Sequence, residues 1–243
     1  MLIIQLQAWD TNIKALLISN KVDMRQIIDF LSELKTHNER DWFNANKEKF
    51  LIAKASFEEF VLGLISELQL MDPTITGATP KNTIYRIYRD VRFSTDKSPY
   101  KTHFGAYIAR GGRKSPLPGY YIHIDPDESF LGGGIFQPGP EQLKAIRKEI
   151  FDFPEDIDSI MGHDDFGKSF VLFDRDKLKR PPQGFSADFS HIDFLKYKHF
   201  VVSQTFPIDW VKKSDFSLKV INQFHRILPF NLFLKRAIDS IDD

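Results

Sequence analysis

Cysteine is missing from all 243 residues, which removes disulfides, thiolate nucleophiles and cysteine-ligated zinc or iron–sulfur centres. That suits a reducing cytosol, and a cytoplasmic location is expected. Also missing is any run near the ~18 uninterrupted apolar residues of a membrane-spanning helix, so no membrane partner is expected. The opening stretch MLIIQLQAWDTNIKALLISNKVD has no early basic residue and is broken by Asp10 and Lys14, which makes it a poor signal peptide. No G-x-S-x-G nucleophile elbow occurs. The clusters His163, Asp164, Asp165 and His191, Asp193 have neither zincin spacing nor an EF-hand register. Solvated loops are the simpler reading; no metal is expected and no cofactor is evident.

What is present is a chain long enough for a substantial core, 42% hydrophobic and unusually rich in phenylalanine, with 23. Ile27, Ile28, Leu31 and Leu34 recur at helical spacing. Asn38 offers an N-cap for a second helix, with Asp41 three residues on. That helix lays Phe43, Phe50, Ala53, Phe57, Phe60, Val61 and Leu64 along one face and ends near Asp72-Pro73. TITGATPKN reads as a loop. The period then changes to two. Three strands, HFGAYIAR, GYYIHID and FLGGGIF, joined by short connections, predict an antiparallel meander. Pro138 or Pro140 opens a helix over EQLKAIRKEIFD, GHDDFGK is a loop, and SFVLFD and HFVVSQTF are further strands. The C-terminal SDFSLKVINQFHRILPFNLFLKRAID reads as helical with an interruption at Pro229. The expected class is α+β, a single domain with N-terminal helices, a mainly antiparallel sheet and C-terminal helices. Met24 starts the well-patterned region, so residues 1–23 read as an N-terminal extension of a 24–243 domain. An extra helix or strand packed on that domain is equally consistent with the pattern.

Formal net charge is zero, but it is unevenly spread. Between Lys81 and Ile122 nine lysines and arginines are opposed only by Asp90 and Asp96, a local excess of seven. Within it, TIYRIYRDVRF alternates like a half-buried strand. Arg86, Asp90 and Arg92 fall on its polar face, and Arg89 falls on the inner face with Ile87 and Val91. An arginine facing a core needs an anion, either a protein carboxylate or a ligand. The following loop, STDKSPYKTHFG, adds Lys97 and Lys101, stiffened at Ser98-Pro99, and brings Tyr100 and His103 as proton-transfer groups. Each has a plainer reading too, Tyr100 as a core aromatic and His103 as a satisfied strand residue. The triple glycine of FLGGGIF lies inside a strand rather than at a strand-to-helix turn, so it is not a phosphate loop. Glycine there marks a bulge or close approach, and Tyr121 and His123 on the neighbouring strand are candidates for the space.

The stretches FLSELKTHNERDWFNANKEKF, RIYRDVRFSTDKSPYKTHFGAYIARGG, YYIHIDPDESFLGGGIFQP and KRPPQGF together resemble the bacterial and fungal domain of unknown function 2461 family. The resemblance runs from about Met24 to near the C-terminus. It implies one soluble intracellular domain beginning near Met24, and it brings no activity, cofactor or catalytic residue. Three functional expectations therefore rest on the residues. The first is a site for a phosphate- or carboxylate-bearing small molecule, bound by Arg86, Arg89, Arg92, Lys97 and Lys101, with His103 and Tyr100 orienting it or moving a proton. The second is a nucleic-acid module adding Arg110, Arg113, Lys114 and Tyr120 or Tyr121, with salt-sensitive binding. The third is a structural or interaction protein whose arginines pair internally. Oligomeric state is not legible.

Overall fold

The structure is a computed structural model and describes residues 24–241. The expected N-terminal extension, residues 1–23, lies outside the described residues. Helix α1 (Arg25–Thr36) buries Ile27, Ile28, Phe30, Leu31 and Leu34 at the spacing of one helical face. Helices α2 (Arg40–Ala45) and α3 (Lys47–Met71) follow. The expected apolar face from Phe43 to Leu64 is buried, but it is shared between two helices that break at Asn46, whose amide turns back to donate to the Trp42 carbonyl. Asn38 is not the N-cap. Glu39 occupies that position, and the Asn38 amide instead donates to the Tyr100 carbonyl at 2.9 Å and accepts from its N–H at 3.1 Å. Helix α3 stops at Asp72 ahead of Pro73. A single-turn helix, α4 (Pro80–Thr83), capped by Thr79, occupies the end of the expected loop.

Five strands, β1 (Phe104–Ile108), β2 (Gly119–Ile124), β3 (Ser129–Ile135), β4 (Val171–Leu172) and β5 (Phe200–Phe206), form an antiparallel sheet of order β1-β2-β3-β5-β4. The neighbouring first three are the predicted meander, and the class is α+β with helices at both ends. In β2, Tyr120, Ile122 and Ile124 are fully buried while Tyr121 and His123 stand half-buried on the other face, as a period of two requires. The glycines of β3 serve the sheet itself. A Cβ on Gly132 or Gly134 would strike the carbonyl oxygen of Val202 or Phe200 in β5, and one on Gly133 would strike Ile227. Gly134 also has φ +107°, which only glycine adopts freely. Neither Tyr121 nor His123 occupies the space that these glycines leave.

Contacts divide the chain into two compact units. One comprises the described residues up to Arg113, Tyr121–Phe130 and Thr205–Gln223. Its core is aromatic: Phe57 stacks on Phe104 at 5.2 Å, Phe60 on Phe216 at 5.3 Å and Phe43 on Tyr100 at 4.0 Å. The other comprises Lys114–Tyr120, Leu131–Gln204 and the described residues from Phe224 onward. It holds α5 (Pro140–Asp152), opened by Pro140 as expected, α6 (Pro154–Gly162) and α8 (Ile192–Leu195). A short helix α7 (Asp164–Gly167) replaces the expected loop.

The last helix, α9 (Phe216–Asp239), runs through Pro229 without the predicted interruption. Phe224 and Ile227 before the proline, and Phe230, Phe233 and Leu234 after it, are all buried. At about 1.5–3 kcal/mol for each buried side chain, they outweigh the ~3 kcal/mol proline penalty.

The segment 84–93 is not a strand. It makes only the isolated bridges Ile84–Ala106 and Tyr88–Tyr100. Its backbone partner includes Pro99, which accepts from the Arg89 N–H but has no N–H to return. Tyr85 and Phe93 are exposed, and Arg89 does not enter the core.

Candidate functional site

The Arg89 guanidinium stays in its own loop, paired with Asp96 and donating to the Ser94 hydroxyl at 3.3 Å. Asp96 also accepts from the Ser98 N–H and hydroxyl at 2.9 and 2.6 Å. These Ser98 bonds first, and then Arg89, hold its carboxyl well below the usual range. Arg92 donates to both oxygens of Asp90, at 3.0 and 2.7 Å, and that bidentate bond holds the Asp90 pKa down. Lys97 donates to the Val91 carbonyl at 3.0 Å. Three of the five expected anion-binding cations are therefore engaged by loop atoms. Among the described residues, Arg86 and Lys101 form no ion pair.

A cleft of about 530 Å³ gathers Arg89, Tyr100, Lys101 and His103 with Lys35 and Asn38, alongside the paired carboxylates of Asp90 and Asp96. Arg86, Arg92 and Lys97 do not line it. Tyr100 contributes from a buried position, its ring stacked on Phe43 and its pKa raised by burial. Lys35 pairs with Asp127. Among the described residues, Lys101 is thus the lining cation with no carboxylate partner. Its ammonium lies 5.4 Å from the centre of the Tyr85 ring and is half-buried, and burial, then the charge of Arg86, lowers its pKa.

Behind Lys101 lies a polar cluster on the half-buried face of the sheet. His103 precedes β1, while His123 is in β2 with Asp125 just beyond it. The two imidazole rings stand 4.1 Å apart, and His123 stacks on Phe130 at 4.6 Å. Asp125 accepts from the Thr102 hydroxyl at 3.3 Å and from the Asp127 N–H at 2.9 Å. The Tyr121 hydroxyl and His123 Nδ1 share a 3.0 Å hydrogen bond whose direction follows the tautomer. Gly105 makes room for that phenol: a Cβ there would lie 2.7 Å from the Tyr121 hydroxyl.

Burial is the largest influence on the His103, His123 and Tyr121 side chains. It lowers His103, helped by Lys101 and opposed by Asp125. It lowers His123 to about 4, helped by His103, and raises Tyr121. Near neutral pH both imidazoles are uncharged, each with one basic nitrogen, and Tyr121 keeps its proton. The cluster offers neutral nitrogen donors, one carboxylate and an adjacent ammonium.

A family model described as conserved hypothetical protein (DUF2461) matches residues 26–233. The chain belongs to that family. No curated protein and no solved structure matches it. The DUF2461 span takes in the loop, β1, β2 and every residue of the cluster. In this DUF2461 chain Lys101, His103 and Arg89 stand out in the sequence pattern, whereas His123 and Asp125, which the fold sets beside His103, do not. The available signal was His123-Ile124-Asp125 at the end of a predicted strand, a spacing that places both side chains on one face.

Proposed function

We propose that the protein binds a small phosphate- or carboxylate-bearing molecule in the cleft beside Lys101. The observation that carries this reading is Lys101 itself, a half-buried lysine without a carboxylate partner among the described residues, lining a cleft of about 530 Å³ next to His103. A cation held partly out of water gains most from an anion placed against it. The ion pairs of Arg89 and Arg92 favour a compact ligand over a long polyanion, because they leave fewer cations to neutralise a nucleic-acid backbone. Arg86, whose field reaches Lys101, adds positive potential without lining the cleft. His103 supplies a neutral imidazole able to donate one hydrogen bond to the ligand.

Thermal-shift and calorimetric titrations with inorganic phosphate, citrate, glucose 6-phosphate and AMP test the proposal. At least one of these probes should raise the melting temperature of wild type, since a ligand that favours the folded state stabilises it. The same probe should have little effect on Lys101→Met, which keeps the length of the apolar stem. No shift with any probe, or an equal shift in the variant, overturns the reading.

A further inference from the structure

We infer that His103, His123 and Asp125 form a binding site for one divalent transition-metal ion, with Zn²⁺ or Co²⁺ as suitable occupants. One donor atom from each of the three residues lies within 4.8 Å of the other two. Among the described residues no other set of three or more such side chains converges this way. A tetrahedral ion with bonds of ~2.0–2.1 Å sets its donors roughly 3.3–3.4 Å apart. Closure therefore asks the three side chains to draw together by up to about 1.5 Å, which rotamer adjustment can supply.

Two further observations point to an ion. The half-buried His103 makes no hydrogen bond within the described protein, yet its ring lies against a second imidazole rather than a polar partner. His123 and Asp125 carry the outer contacts that orient metal ligands. Nδ1 of His123 meets the Tyr121 hydroxyl, and Asp125 is held by Thr102 and the Asp127 N–H. With Nδ1–H donating to Tyr121, the Nε2 lone pair of His123 is free for an ion. Two imidazoles and one carboxylate suit zinc, cobalt, nickel or iron rather than calcium or magnesium, which take oxygen ligands. Three protein ligands also leave a coordination position for water or a ligand oxygen.

The inference deepens the anion-binding reading, since Lys101 stands two residues from His103 and an anion could meet both charges. It does not depend on that reading for its test. Tag-free, EDTA-treated and desalted protein is titrated with Co²⁺ in a buffer without phosphate or carboxylate, followed by the visible d–d absorption, and then with Zn²⁺ in competition. The expected result is one Co²⁺ per chain, displaced by Zn²⁺. Affinity should fall at least about 100-fold in His103→Ala and in Asp125→Asn, beyond the ~10–100-fold typical of an outer-shell loss. Circular dichroism establishes that each variant is folded. His191→Ala, at the other His-x-Asp sequence, should leave the titration unchanged; His191 bonds Asp158 instead.

Absence of stoichiometric Co²⁺ binding, binding undiminished in folded His103→Ala and Asp125→Asn, or binding lost in His191→Ala overturns the metal site. None of those results bears on anion binding through Lys101. Conversely, a Lys101→Met variant that still takes up phosphate or citrate leaves the metal titration standing.

Discussion

Replacing Gly105 by alanine puts a methyl group where Tyr121 stands. The new Cβ would lie 2.7 Å from the Tyr121 hydroxyl and 3.3 Å from the ring carbon that bears it. The phenol has little room to retreat, with Tyr85 at 6.3 Å on one side and Phe130 at 5.5 Å on another. Overpacking of this kind costs ~1–3 kcal/mol. Displacing the hydroxyl from His123 adds ~0.5–1.5 kcal/mol, while the stiffer unfolded chain returns ~0.4–1 kcal/mol. The net expectation is a loss of about 2 kcal/mol. Urea unfolding followed by tryptophan fluorescence measures it, because Trp42 and Trp210 belong to the same compact unit as the site. In a Tyr121→Phe background the obstructing oxygen is gone, so Gly105→Ala should cost about 1 kcal/mol less. That coupling exceeds the ~0.3–0.5 kcal/mol scatter of independent sites. Equal costs in the two backgrounds would refute the packing of Tyr121 over Gly105 and the support it gives His123.

Gly134→Ala should destabilise beyond the ~1–3 kcal/mol of ordinary overpacking, because both its φ of +107° and the Phe200 carbonyl oppose a side chain; a urea midpoint near wild type would contradict this. Arg89→Ala should leave the melting temperature close to wild type, since its pairing with the exposed Asp96 is a surface interaction; a large fall would restore Arg89 to a core role. The His123 pKa of about 4 in the folded protein lies below the ~6.5 of an unfolded histidine. The contribution of its neutral form is complete above pH ~6.5 and is lost as pH falls toward 4, because the unfolded chain takes up the proton first. Melting temperatures of metal-free protein between pH 7.5 and 4.5 should therefore fall more steeply for wild type than for His123→Phe, and parallel curves would count against the buried, neutral imidazole.

The meander and the aromatic face of the early helices were legible because burial follows the period: Ile122 and Ile124 in, Tyr121 and His123 out. The segment around Arg89 misled for the same reason. Alternation says which side chains share a face, but a strand also needs a partner able to complete the ladder, and Pro99 interrupts that partner. At Pro229 a local breaking rule lost to the buried side chains on both sides. Lys101 and His103 could be singled out from a polar loop entering a strand. His123 and Asp125 required knowledge of strand pairing, which brings His103 beside β2. His-Ile-Asp occurs twice in the chain. At 123–125 it closes a strand and meets a second histidine; at 191–193 it opens a short helix and pairs with Asp158. Spacing alone does not distinguish the two.

Anion binding at Lys101 would be seen in a crystal structure of the protein grown with saturating phosphate. A phosphate oxygen is expected at ~2.7–2.9 Å from Lys101 Nζ, inside the cleft that His103 lines. An empty cleft with Lys101 turned to a carboxylate of its own chain would contradict it.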